Sequence, residues 1–177
     1  MDLIELAKSA GVEGFLHCNE LERLVTLSAG KDVLEVGSFK GLSAWGMSIA
    51  ARWVDCVDTF CANDAGQVQM EKTTTLPAFQ DAIEKRRNVM WFQKTSEQAE
   101  KDLNGSWDFI FLDAMHTYED VAKDIERWWP RVKPGGCMAF HDYGHHNFPG
   151  VKQAVDEKFG PPAEGDVTIT LRVVCKS

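Results

Sequence analysis

The sequence predicts an α/β protein: a doubly wound, mostly parallel sheet covered by helices on both faces, in three layers. Three observations predict it. Short apolar runs alternate with helix-spaced stretches along the chain. One run, "WDFIFLDAMH" at 107–116, is almost wholly apolar up to Asp113, the pattern of a strand buried on both faces. Between residues 32 and 60 a strand, a glycine turn, a helix and a second strand follow one another. That is a βαβ unit, whose right-handed crossover makes its strands parallel.

The elements follow in order. "DLIELAKS" at 2–9 reads as a short helix with Asp2 near its start and Gly11 beyond its end. "CNELERLVTLSAG" repeats the pattern: Asn19 is a candidate cap, Leu21, Leu24, Val25 and Leu27 share a face, and Gly30 stops the helix. "DVLEVG" is the first buried strand. "SAWGMSIAARW" at 43–53 has helical spacing of Trp45, Ile49 and Trp53, with Trp45 and Trp53 expected in the core. "VDCVDTF" at 54–60 is the second strand. "CANDAGQVQMEKTTTLP" at 61–77 is a long polar connection, of the kind that serves as a lid or a mobile connector.

"AFQDAIEKRRN" is the next helix, "VMWFQKTS" the third strand, and "SEQAEKDL" a helix capped by Thr95 or Ser96. After the fourth strand, "YEDVAKDIERWWPRV" is a helix with Val121, Ile125 and Trp128 on its core face and Pro130 at its end. "KPGG" reads as a turn before a fifth strand, "CMAFHDYG". "PGVKQAVDEKFG" is a helix between Pro149 and Gly160. "DVTITLRVVCKS" is one long strand or a tight pair. The whole fits one domain, 1–177, with 1–29 an N-terminal helical segment and 30–177 the core.

Composition narrows the function classes. The net charge of -8, with no basic stripe, repels phosphate backbones and argues against a nucleic-acid partner. No run of about 18 apolar residues exists, so no membrane helix is expected. The first residues, "MDLIELAKSAGVEG", are too charged for a signal peptide. Five cysteines form no CxxC pair, and Cys56 and Cys137 lie in apolar strands as small hydrophobes. These features predict reduced thiols and a cytoplasmic protein.

Ligands of open α/β sheets bind beyond the carboxyl ends of the strands, and the polar residues of the strand regions gather there. Strand one ends in Glu35 and "GSFKG", strand two in Asp58, and strand three near Lys94, Thr95 and Ser96. Strand four ends in Asp113 and His116, and strand five in His141, Asp142 and Tyr143. The glycine motif is E-x-G-x-x-x-G, with Phe39 where a dinucleotide fold places its middle glycine, which speaks against a dinucleotide. Asp58, 21 residues after Gly37, stands where an acid accepts from two ribose hydroxyls. A purely structural strand and turn remain the alternative.

"VLEVGSFKGLS" resembles the first motif of class I S-adenosylmethionine-dependent methyltransferases. The stretch "FIFLDAMHTYEDVAKDIERWWPRVKPGGCMAFHDYGHHNFPGVKQAVDE" is similar to a compact bacterial group of that family with H-x-Y-E, K-P-G-G and H-D-Y motifs. The resemblance spans about residues 15–160 and implies a Rossmann-like methyltransferase fold. It implies that Glu35, Val36, Gly37, Ser38 and Gly41 hold the cofactor's methionine and ribose end, and that Asp58 and Thr59 meet the ribose. It implies that Thr95, Ser96 and Glu97 border the adenine, and that Asp113 and His116 lie near the cofactor's amino group. A carboxylate rim suits a sulfonium and an ammonium and repels a phosphate.

Methyl transfer to a hydroxyl is an in-line displacement that also needs a proton removed. Asp113 and His141 are the candidate catalytic residues, a histidine serving as base. Asp113, His141 and Asp142 could instead hold a divalent cation that lowers a hydroxyl's pKa. The metal-dependent relatives carry more acids here, where this chain has Ala114 and His141. Plainer readings stand beside these. His141 could cap a strand, His145 and His146 be solvated, and His17 cap a helix. Glu119 suits a helix N-terminus without further duty.

The leading expectation is a methyltransferase acting on a hydroxyl of a small molecule, with S-adenosylmethionine as cofactor. Nitrogen acceptors and a homodimer supplying a substrate cap stay open. The alternative is a non-catalytic domain that keeps the fold to bind the cofactor or a partner. A nicotinamide oxidoreductase lacks its glycine and a hydride-transfer set.

Overall fold

The computed structural model describes residues 2–62 and 74–177, and seven strands among them form one sheet in the order β3-β2-β1-β4-β5-β7-β6. The strands are β1 (Asp32–Val36), β2 (Trp53–Asp58), β3 (Val89–Gln93), β4 (Trp107–Leu112), β5 (Val132–Phe140), β6 (Val167–Thr168) and β7 (Leu171–Cys175). The helices are α1 (Leu3–Ser9), α2 (Cys18–Ser28), α3 (Leu42–Met47), α4 (Leu76–Ile83), α5 (Ser96–Asp102), α6 (Tyr118–Trp128) and α7 (Pro149–Phe159), with a 3-10 turn at Trp129–Arg131. The sheet is parallel from β3 to β5 and antiparallel beyond. This is the expected three-layer α/β architecture.

Alternation along the strands splits the core in two. Leu34, Val36, Ile110, Leu112, Met138 and Phe140 face Val121, Ile125 and Trp128 of α6 and Val151, Ala154 and Val155 of α7. Val33, Cys56, Phe109, Phe111 and Ala139 face Leu24 of α2, Ala44 and Met47 of α3 and Phe79 of α4. Strand residues buried on both sides explain why the sequence of β4 shows no polar face.

Several boundaries differ from the sequence reading. α2 begins at Cys18 with His17, not Asn19, at its cap. α3 stops at Met47, because the Ser48 hydroxyl turns back on Trp45 O at 2.7 Å and Gly30 N ties Ala50 O at 2.8 Å. Trp53 therefore opens β2 instead of closing a helix. It is 37% exposed, and its indole N–H donates to Asp55. α4 starts at Leu76 and ends at Ile83, and Asn88 bonds Ser48 O and Ala51 O. "KPGG" lies inside β5, where Gly135 N donates to Lys176 O at 3.0 Å and Lys176 N to Gly136 O at 2.8 Å. A shift of register against β4 between Trp107 and Phe109 absorbs it. The last segment is the tight pair β6–β7, turning at Ile169 and Thr170. The connection at 61–77, with the lid expected of it, falls largely on residues 63–73, outside the described residues.

The thiol expectation is corrected. Cys137 and Cys175 face each other across the antiparallel β5–β7 pair, with Cα atoms 4.0 Å apart, and form a disulfide. Only the fold-back of β7 brings together residues 38 apart in sequence. Cys18, Cys56 and Cys61 are free. With a disulfide present, cysteine usage no longer points to a reducing compartment. Among the described residues no helix is long and apolar enough to cross a membrane.

Candidate active site

The chain builds outward from β1 to β3, then resumes at β4 on the other side of β1. A doubly wound sheet opens a crevice at that reversal, beyond the carboxyl ends of its strands. Asp113 N donates to Val36 O at 2.9 Å and Gly37 N to Val57 O at 2.8 Å, so β1, β2 and β4 end level. Gly37 has φ +92, and a Cβ there would stand 2.0 Å from Asp113 O. Only glycine lets the turn pass so close to β4.

Glu35 lies beneath this turn. It shares the α3 side of β1 with Val33 and is fully buried. The Ser38 hydroxyl donates to Oε2 at 2.5 Å. Ser43 and the Cys56 thiol stand beside the carboxyl, but no well-formed hydrogen bond reaches Oε1. Burial pushes this carboxyl up to about 7 against the opposing pull of Ser38.

Asp58 grips the turn from β2. Its Oδ2 accepts from Ser38 N at 2.7 Å and Phe39 N at 2.8 Å, and its Oδ1 from Phe60 N at 2.6 Å. Burial raises its pKa against these bonds. An ionised carboxylate offers about four acceptor positions, and three are taken. Val36 is buried in the strand and Gly41, with φ +91, caps α3. Thr59 lends its carbonyl to Cys61 and Gln93. The Thr95 hydroxyl caps α5 through Gln98 N at 3.2 Å. The Ser96 hydroxyl donates to Asp124 and accepts from Trp128 Nε1 at 2.8 Å, tying α5 to α6.

The second group sits where β4 and β5 end together. Leu112 pairs with Phe140, so the next residues, Asp113 and His141, lie side by side. His141 Nδ1 is 3.2 Å from Asp113 Oδ1 and 3.5 Å from Asp142 Oδ2. His116 Nε2 is 3.1 Å from Asp142 Oδ2 and 3.6 Å from Asp113 Oδ1, and its ring stacks on Phe148 at 4.3 Å. Asp142 has φ +56, an uncommon backbone that a short acid tolerates. One ligand atom from each of Asp113, His141 and Asp142 lies within 4.8 Å of the others.

Charge pairing dominates these groups. Burial raises the pKa of Asp113, but the neighbouring imidazoles hold it down at about 2. Asp142 is likewise held below the carboxylate range, with His116 and His141 outweighing burial. Burial lowers the two histidines, yet the carboxylates win and lift His116 to about 9 and His141 to about 12. The carboxylates therefore favour the doubly protonated, cationic form of both rings.

The sequence reading missed Glu20. It comes from α2, is fully buried, and has Oε2 3.4 Å from His141 Nε2. A signal existed: Glu20, Leu24 and Leu27 share one helix face by their spacing, so an acid stands on an apolar stripe. His145 and His146 stack on each other at 4.6 Å outside the cluster, and His17 caps α2. Asp113, His116, His141 and Asp142 are thus brought together. The Thr95 and Ser96 hydroxyls are engaged within α5 and with α6.

A glycine turn over a buried acid, with acids from β1, β2 and β4 around it, stands where doubly wound sheets take their ligands. A family model described as a methyltransferase domain matches residues 34–143, more than half of the chain, and the chain belongs to that family. Over 51 residues it is 37% identical to the uncharacterized protein y4gI of Sinorhizobium fredii, a match spanning 28% of this chain and 6% of that protein. Three solved structures share the fold. One is a Corynebacterium glutamicum protein with TM-score 0.70 and 14% identity, over 99% of this chain and 88% of that one. Another is the O-methyltransferase TomG of Streptomyces achromogenes in complex with SAM, at 0.66 and 11%, over 92% and 82%. The third is an O-methyltransferase of Bacillus cereus in complex with SAH, at 0.62 and 16%, over 90% and 78%.

Proposed function

We propose that this chain is an S-adenosylmethionine-dependent methyltransferase that methylates a hydroxyl of a small molecule. The carrying observation is that three acids surround the turn at the end of β1: Glu35 lies beneath it, Asp58 accepts from its amides and Asp113 stands against Gly37. A cationic sulfonium and ammonium suit that rim. Glu35, with a pKa of about 7 and an oxygen without a hydrogen bond, can ionise when positive charge arrives. Asp58 holds the turn and keeps one acceptor position for a ribose hydroxyl. A separate cavity of about 620 Å³, lined by α1, residues 11–16, Phe39, Lys40 and Leu42 and by none of Glu35, Asp58, Asp113 or His141, is within the size range of small-ligand sites and meets the turn only at Phe39 and Lys40.

Two carboxylates and one imidazole nitrogen form a donor set that fits a divalent cation such as Mg, Mn, Fe or Zn. Asp113, Asp142 and His141 Nδ1 would hold it, and it would supply Lewis-acid polarisation of the acceptor hydroxyl. Asp113 stays ionised throughout the neutral range. His141 becomes a nitrogen ligand only by giving up its Nδ1 proton. Asp113 also borders the glycine turn, so it couples the cofactor crevice to the acceptor side.

The second reading is a domain that binds the cofactor without turning it over: the carboxylates around both imidazoles favour their charged form, in which neither ring is a base. A thermal-shift series with S-adenosylmethionine, S-adenosylhomocysteine and NAD tests the cofactor. Stabilisation by the first two alone, lost in Asp58→Ala, is expected; a shift with NAD alone overturns the reading. Turnover of a hydroxyl-acceptor panel with Mn or Mg present, abolished by a chelator, separates enzyme from binding domain.

A further inference from the structure

Glu20 lies on α2, outside the segment matched by the family model. A fully buried carboxylate is costly unless its oxygens are bonded. Here both are. Thr170 N and Thr170 Oγ1 each donate to Oε1 at 2.8 Å, and His17 N donates to Oε2 at 3.0 Å. The remaining contact of Oε2 is His141 Nε2 at 3.4 Å. Thr170 reaches this position because the β6–β7 turn carries Ile169 at φ +55. Two segments distant in sequence, α2 and the β6–β7 turn, thus meet on one side of one imidazole. Its other nitrogen, Nδ1, faces Asp113 and Asp142. The Phe111 ring, inclined at 72° with its centroid 6.4 Å from that of the imidazole, flanks it.

We infer that Glu20 is a positioning residue: it accepts from His141 Nε2–H and so fixes Nδ1 as the nitrogen presented to the Asp113–Asp142 pair. The inference rests on reading that trio as a divalent-cation site. A histidine ligand usually donates its second N–H to a carboxylate, which sets the ring and makes the ligating nitrogen a better donor. Glu20 performs that task from a part of the chain that otherwise looks like packing. Without it the ring can flip and offer the wrong nitrogen.

Calorimetric titration of Mn²⁺ into the full chain tests this by a double-mutant cycle. The wild type is expected to bind one ion, and Glu20→Gln to bind it about 10- to 100-fold more weakly. On a His141→Ala background Glu20→Gln should cost nothing further, because its effect passes through the imidazole. Equal losses on both backgrounds, or wild-type affinity in Glu20→Gln, overturn the positioning role while leaving the cation site in place. No ion uptake by the wild type overturns the cation reading and the inference together. Thr170→Val keeps the charge of Glu20 but removes one of its anchors. It should weaken Mn²⁺ binding several-fold with His141 present and not without it, and this arm decides the matter should Glu20→Gln not fold.

Discussion

Replacing Glu35 with glutamine gives a pH signature whose sign and size follow from burial. The folded carboxyl titrates at about 7, against an ordinary 4.5. A carboxyl raised in the folded state contributes stability that is fully present below the unfolded pKa. That contribution is lost as pH rises through the folded value. The window is therefore pH 4.5 to about 7. A gap of this size, at about 1.4 kcal/mol per unit, is worth on the order of 3 kcal/mol. The substituted amide has the same shape and does not titrate, so the other groups nearly cancel in the comparison. Urea denaturation of both proteins at about pH 4.5, 6 and 8 measures it. The stability of Glu35→Gln minus that of wild type should grow by about 3 kcal/mol from the lowest to the highest pH. Two parallel profiles would show that Glu35 titrates normally, and the buried acid beneath the turn would no longer explain cation recruitment.

Four further outcomes are expected. Asp58→Ala removes the acceptor of three backbone amides and should cost at least about 2 kcal/mol in urea denaturation, together with cofactor binding. Gly37→Ala drives a methyl into the Asp113 carbonyl and should cost more than about 3 kcal/mol, whereas Gly11→Ala, with open space around its Cβ, should cost far less in the same assay. Thiol titration in denaturant should count three reactive cysteines before reduction and five after; five at once would remove the Cys137–Cys175 bond. Cys175→Ser opens a loop of 38 residues and should lower stability by about 3–4 kcal/mol, read from the denaturation midpoint.

Elements with a strong local signature were legible in the sequence. α6 shows its apolar stripe, α7 lies between Pro149 and Gly160, and β4 is an unbroken apolar run. The rim of Glu35, Asp58, Asp113, His141 and Asp142 was legible because polar groups interrupt apolar strands only at one end. What failed were features set by tertiary contact. α3 ends at Met47 because Ser48 and Gly30 satisfy the backbone there, although Trp45, Ile49 and Trp53 keep helical spacing. "KPGG" carries turn residues yet joins β5, since the segment after β7 supplies its hydrogen bonds. The disulfide depends on an antiparallel return that the terminal segment did not announce. Glu20 is the same lesson at the site: its partners Thr170 and His141 lie 150 and 121 residues away. The upward pull on the histidine pKa values was equally hidden, because it arises from how Asp113 and Asp142 surround them.

Co-crystallisation with S-adenosylhomocysteine tests the account most directly. The ligand is expected in the crevice between the carboxyl ends of β1 and β4, with one ribose hydroxyl on the remaining acceptor position of Asp58 and its amino group toward Asp113. Binding in another hollow, or binding that survives unchanged in Asp58→Ala, would contradict it.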